Sequence, residues 1–215
     1  MRRLPVYLVL DTSGSMMGEP IEQVKNGVQM LISALRQDPY ALETAYLSVI
    51  SFNTNASQLV PLTELTSFQA PDLQASGITE LGGALKLTAE CASREVEKTT
   101  AESKGDWRPM VFLMTDGMPT DDWKSGLSKF KEERWGIVVG CAIGKNDSSV
   151  NGVLNEICGE AVVQLDTADS GAIAAFFKWV SASISMGSQK VESNQEVSDI
   201  GELPPPPPEI DVVGV

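Results

Sequence analysis

Two short polar stretches in this 215-residue sequence carry side chains able to hold a cation together. Asp11-Thr12-Ser13-Gly14-Ser15 follows the apolar run Val6–Leu10, and Thr115-Asp116-Gly117 follows Val111–Met114. In the first stretch Asp11, Ser13 and Ser15 alternate, so a loop can turn their oxygens toward one centre, with Gly14 permitting the tight turn. Asp11 and Asp116, with hydroxyls and waters, form an all-oxygen donor set suited to a hard cation. Mg2+ fits that set best because it keeps waters and uses only one or two carboxylates; Mn2+ or Ca2+ is also compatible. So few protein ligands leave a coordination position free. Aspartate and serine after a strand also serve as turn and capping residues. The recurrence of an aspartate after a second apolar run favours the metal reading over that simpler one.

The surrounding pattern explains how two distant loops could meet. Met110–Met114, Ile137–Ala142 and Ala161–Leu165 are near-continuous apolar runs, as in strands buried on both faces. Tyr46–Phe52, Asn53-Thr54-Asn55 and Gln58–Leu62 read as a hairpin. Ile21, Val24, Val28, Leu31, Ile32 and Leu35 form one helical stripe beginning near Pro20. Ile173, Phe176, Phe177, Val180 and Ile184 form another, for which Asp169 or Ser170 is the expected N-cap. Further helices are expected from Glu80 to Lys98, Asp122 to Glu133 and Val150 to Ile157. Strands alternating with helices predict an α/β fold on a mostly parallel sheet with one antiparallel edge strand. In such sheets ligands bind beyond the carboxyl ends of the strands, where strand order reverses.

Composition limits the function. The formal charge of −13 provides no basic surplus for nucleic acid or an anionic membrane. The chain contains no histidine, which excludes Ser-His-Asp and Cys-His catalysis and His-ligated zinc. Cys91, Cys141 and Cys158 lack metal-like spacing and read as small buried hydrophobes in a reducing compartment. Arg2-Arg3 before an apolar run mimics a signal peptide, but Pro5 and Asp11 bound a run too short for one. No stretch reaches the length of a membrane span, and a cytoplasmic protein, monomeric when alone, is expected. Residues 187–215 hold six acidic residues, one lysine and Pro204–Pro208. They are expected to form a flexible acidic tail with a polyproline II segment, following a domain that ends at 186. The four tryptophans are expected to pack in the core or at its rim. Met16, Met17 and Met118 flank the two polar loops, either covering apolar gaps or forming an adaptable contact surface.

Leu8-Val9-Leu10-Asp11-Thr12-Ser13-Gly14-Ser15-Met16 resembles the opening of a von Willebrand factor A domain with its metal-ion-dependent adhesion site. Leu113-Met114-Thr115-Asp116-Gly117 resembles the family's later aspartate motif. Ser76-Gly77-Ile78-Thr79, followed by Gly82-Gly83-Ala84-Leu85, resembles the loop that supplies a threonine. Thr79 enters the candidate site on this resemblance alone. The resemblance covers about residues 4–186. It implies a Rossmann-like three-layer fold with a six-stranded sheet of order 3-2-1-4-5-6, strand 3 antiparallel. It further implies that Asp11, Ser13, Ser15, Thr79 and Asp116 hold the metal, directly or through water, while a partner's Glu or Asp completes the coordination. Gln37–Leu42, Lys104–Pro109, Phe176–Ser181 and Leu203–Pro208 resemble the bacterial TerY-type proteins of the tellurite-resistance group. That resemblance implies a stress-response complex with a Ser/Thr protein kinase and a metal-dependent protein phosphatase.

The expected function is therefore a non-enzymatic, Mg2+-dependent protein-interaction module. One alternative within the family is a partner of an AAA-type ATPase. A Mg2+-dependent phosphohydrolase of the haloacid-dehalogenase type also places an aspartate after its first strand. That chemistry needs a second carboxylate two residues later as general acid and base, and Ser13 stands there instead. It also needs a cation for the phosphate, which the motif loops do not supply.

Overall fold

The computed structural model describes residues 2–145, 147–166 and 171–213. Seven strands, β1 (Leu4–Asp11), β2 (Ala45–Phe52), β3 (Ala56–Glu64), β4 (Met110–Thr115), β5 (Ile137–Ile143), β6 (Val162–Leu165) and β7 (Ile210–Val212), form one sheet. Its order is β3-β2-β1-β4-β5-β6-β7. Strands β2, β1, β4, β5 and β6 run parallel, and β3 and β7 close the two edges antiparallel. The helices are α1 (Glu19–Leu35), α2 (Pro39–Thr44), α3 (Leu81–Glu95), α4 (Trp123–Phe130), α5 (Ser148–Cys158) and α6 (Ala172–Glu192).

Alternation along β1 explains the three layers. Leu4, Val6, Leu8 and Leu10 face a core shared with Val24, Val28 and Leu31 of α1 and Phe176, Phe177 and Val180 of α6. Tyr7 and Val9 face the opposite core, with Leu81, Ala84 and Leu85 of α3, Phe130 of α4 and Leu154 of α5. Every residue of β1 is buried, as a central strand covered on both sides requires. From β1 the chain passes through α1 and α2 to β2, turns back through β3, and then returns by α3 to β4 on the other side of β1. Strand order therefore reverses between β1 and β4.

Several expected elements differ in extent. α3 stops at Glu95 and α4 at Phe130, and α5 begins at Ser148 behind the Asp147 side chain, which accepts from Ser149 N–H. α2 is an added element of six residues, too short to show a period. Its cap Asp38 accepts from the N–H groups of Tyr40 and Ala41. The caps expected for α6, Asp169 and Ser170, lie outside the described residues. Cys91 and Cys141 are buried and Cys158 is half-buried; all three are free thiols. Trp107 and Trp179 are buried, and Trp135 stacks on Phe130 with ring centroids 4.5 Å apart.

The sheet has a seventh strand where six were expected, and its source is the segment expected to be a flexible tail. α6 continues through the expected boundary at 186 to Glu192. Beyond it, Val197, Leu203 and Ile210 are buried in the same core as α6, and Ile210–Val212 adds the antiparallel β7 to β6. The Trp179 indole N–H donates to the Pro204 carbonyl at 2.7 Å, and Lys190 pairs with Glu202 at 2.6 Å. Widely spaced apolar residues in an acidic, proline-rich stretch carry no period, so composition alone reads as disorder. The parallel sheet nevertheless ends at an open edge that a short strand can pair with. Deleting residues 197–215 should therefore destabilise the domain by roughly 2–4 kcal/mol, the burial of three apolar side chains less the chain's ordering cost. Urea unfolding of the full and shortened chains measures this; equal midpoints would show that the segment contributes nothing.

Candidate metal centre

β1 ends at Asp11 and β4 at Thr115, and the two strands pair in parallel with Leu10 opposite Met114. The next residues of each strand therefore emerge side by side at the carboxyl edge, at the point of strand reversal. The Thr115 hydroxyl donates to Asp11 Oδ2 at 2.6 Å. Asp11 Oδ1 accepts from Ser13 N–H at 2.7 Å, folding the following loop over the carboxylate. A 3-10 turn at Gly14–Met16 then sends Ser15 outward and Met16 into the core. Ser13 Oγ and Ser15 Oγ lie 2.9 Å apart, and Ser15 Oγ donates to Asp116 Oδ1 at 2.7 Å. Asp11, Ser13, Ser15 and Asp116 thus form one continuous chain of oxygens.

Thr79 reaches the same place from the segment before α3. A Cβ built on Gly117 would stand 3.7 Å from Thr79 Oγ1, so this hydroxyl borders the residue after Asp116. Its loop is fixed by backbone bonds: Gly14 N–H to Gly77 O at 3.0 Å, Ser76 N–H to Thr12 O at 2.8 Å, and Thr120 N–H to Thr79 O at 2.9 Å. Gly14 approaches so closely that an added Cβ would lie 3.1 Å from Gly77 O, and Gly77 itself has φ +75°. Both positions favour glycine for that reason. Hydrogen bonds thus join Asp11, Ser13, Ser15 and Asp116, and the Thr79 hydroxyl stands beside Gly117, the residue after Asp116.

Two positioning groups escaped the sequence reading. The Asp121 carboxylate accepts from Gly82 N–H at 3.0 Å and Gly83 N–H at 2.9 Å. It thereby caps α3, whose own cap residue Glu80 makes no side-chain cap bond. Cap and helix are nearly forty positions apart, so no local motif could reveal the pair. Thr115 was read as part of the aspartate motif, but its bond to Asp11 depends on strand pairing and became visible only with the sheet order.

The electrostatics of the cluster are one-sided. Asp11 and Ser13 are each 1 % exposed, Thr79 is buried, Asp116 is half-buried and Ser15 is exposed. Burial pushes the Asp11 pKa up; the Thr115 and Ser13 hydrogen bonds oppose this, and the neighbouring Asp116 charge adds to it. Burial likewise raises Asp116, against the hydrogen bond from Ser15. Among the described residues neither carboxylate joins an ion pair. Nor do those residues contain a group of three or more His, Cys, Asp or Glu side chains able to hold a metal. A cation here must therefore draw on hydroxyls and on water or an external ligand. The donor chemistry fits a hard ion: two carboxylates that lack a countercharge, converging hydroxyls, and a glycine leaving space beside Thr79.

The family model of the von Willebrand factor type A domain matches residues 6–177. The chain belongs to this family. A curated relative, the uncharacterized protein sll0103 of Synechocystis sp., is 36% identical over 123 residues; the match covers 54% of this chain and 26% of that protein. The chain thus spans about a quarter of that relative's length. Among solved structures, the pilus adhesin SpaC of Lactobacillus rhamnosus GG is similar with TM-score 0.67 and 14% identity, covering 86% of this chain and 31% of that one. Proximal thread matrix protein 1 from the mussel byssus, solved with a zinc-occupied MIDAS motif, has TM-score 0.60 and 18% identity, covering 84% and 48%. These likenesses establish the three-layer von Willebrand factor A fold.

The raised carboxylates make a signed expectation for the metal-free domain. A carboxyl whose pKa is higher in the folded than in the unfolded state favours folding while protonated, and that contribution is lost as pH rises through the folded pKa. At neutral pH the ionised Asp11 therefore opposes folding. Asp11→Asn keeps an acceptor for Ser13 N–H and removes the charge. In chelator it should raise the thermal midpoint near neutral pH, and the gain should shrink as pH falls and disappear below the ordinary aspartate value of 3.8, where Asp11 is protonated in both folded and unfolded chains. Calorimetry at both pH values checks this; a midpoint lowered at neutral pH would contradict the assignment of buried, uncompensated charge.

Proposed function

We propose that this domain is a non-enzymatic, Mg2+-dependent protein-recognition module whose metal, held by Asp11, Ser13, Ser15, Thr79 and Asp116, engages an Asp or Glu of a partner protein. The observation that carries this reading is the pair of carboxylates gathered at one sheet edge, neither of which joins an ion pair among the described residues. The bound cation would supply the missing positive charge and a Lewis-acidic position for an external carboxylate. Asp11, Ser13, Ser15, Thr79 and Asp116 would hold it through carboxylate and hydroxyl oxygens. The mussel protein with zinc in its MIDAS motif supports a divalent ion in this fold, and the family match supports an interaction role. Ser13 stands where haloacid-dehalogenase chemistry would place a second carboxylate as general acid and base, which disfavours phosphoryl transfer by that route.

The setting we infer is a bacterial cytoplasmic stress-response complex of the tellurite-resistance type, with a protein kinase and a metal-dependent phosphatase as partners. Its support is the resemblance of Gln37–Leu42, Lys104–Pro109, Phe176–Ser181 and Leu203–Pro208 to TerY-type proteins. Among the described residues no helix is long and apolar enough to cross a membrane.

Mg2+ at a hundredfold excess over its dissociation constant should stabilise the wild-type domain by about 2.7 kcal/mol. Asp11→Ala and Asp116→Ala should each abolish that shift and reduce capture of the partner from native lysate to the level seen in EDTA, with the fold retained by circular dichroism. Capture that persists undiminished in EDTA, or in either variant, would sink the proposal.

A further inference from the structure

The described residues include eight large hydrophobic side chains that are prominently exposed, and three of them lie on the loops of the candidate site. Met17 is 64% exposed, Ile78 48% and Met118 45%. Each rides on a different loop of the site. Met17 lies two residues after Ser15, Ile78 directly before Thr79, and Met118 two residues after Asp116. The loops are tied to one another by the Gly14–Gly77 and Thr79–Thr120 backbone bonds, so the three exposed residues sit on connected loops, each within two positions of a candidate donor. Single exposed hydrophobics are ordinary, but several converging on one polar site form an interaction surface. Met16, expected at this rim, is fully buried, and Ile78 is exposed there instead.

Resting on the metal-dependent reading above, we infer that the partner presents one Asp or Glu flanked on both sides by large apolar residues, in a loop or extended segment otherwise poor in acid. The metal selects the carboxylate. Met17, Ile78 and Met118, one on each loop of the site, cover apolar neighbours on either side of it. The chain's net charge of −13 penalises further acidic residues beside the anchor, so an acid-rich ligand is disfavoured. Two unbranched methionines give this rim a surface that adapts to different apolar side chains.

The test is selection of a phage-displayed library of disulfide-closed loops of about seven random residues on the full chain in Mg2+, followed by elution with EDTA. The expected consensus is a single Asp or Glu with Leu, Ile, Phe or Met within two positions on each side. The Met17→Ser, Ile78→Ser, Met118→Ser triple variant should bind a selected loop at least about tenfold more weakly. It should retain the full Mg2+-induced thermal shift, since none of the three is a metal ligand. An acidic consensus without apolar flanks, or equal binding by the triple variant, would overturn this inference and leave the metal-dependent reading standing. Loops that lack an acid and resist EDTA would overturn both.

Discussion

The parallel pairing of β1 with β4 is the constraint on which this molecule's chemistry depends. Leu10 stands opposite Met114, so Asp11 and Thr115 leave the sheet at one level and Asp116 follows immediately. The bond from Thr115 Oγ1 to Asp11 Oδ2 locks that register at its last step. A slip of one residue would turn each strand's side chains to the opposite face and break both the core and the carboxylate pair. The same alternation that buries Leu8 and Leu10 in one core and Val9 in the other therefore fixes where the two aspartates meet. Fold and site share a single geometric requirement.

Holding two carboxylates there is electrostatically unfavourable, and the surrounding loops absorb the cost locally. Asp11 is 1 % exposed yet accepts a backbone N–H and a hydroxyl, while Asp116 accepts the Ser15 hydroxyl. These bonds satisfy oxygens without neutralising charge. A lysine in their place would form an ion pair and complete the site internally. The hydroxyl-rich arrangement instead leaves both carboxylates without an ion pair among the described residues. Backbone bonds between Gly14 and Gly77, and between Thr79 and Thr120, hold these loops to one another.

How much of this was legible in the sequence depended on the range of the interaction. β1, β4 and β5 were plain because strands buried on both faces have continuous apolar runs, and α1 because its stripe repeats over many turns. Asp11, Ser13, Ser15 and Asp116 could be singled out from strand ends and alternation. Thr79 could not, because nothing in its spacing relates it to β1 or β4; only resemblance brought it in. Asp121, which caps α3 from a distant loop, was invisible for the same reason. β7 was missed because three residues supply no pattern, and its strand character comes from the open edge of β6 rather than from its own sequence. The polyproline stretch then spans from Leu203 to Ile210 as a strap between two buried anchors.

The contrast between Met16 and Met17 shows how finely the surface is divided. The 3-10 turn at Gly14–Met16 rotates successive side chains to different sides, burying Met16 completely and leaving Met17 64% exposed. Met16 packs the first loop onto the core shared by α1 and α6, which keeps Ser13 and Ser15 in place. Met17, one residue later, stands in solvent. Each of the three loops repeats this division: an interior attachment made by a backbone bond or a buried side chain, a polar donor beside it, and an exposed apolar residue beyond. Interior packing, polar oxygens and exposed apolar surface thus fall on neighbouring residues, so the exposed side chains can change without disturbing the oxygens beside them.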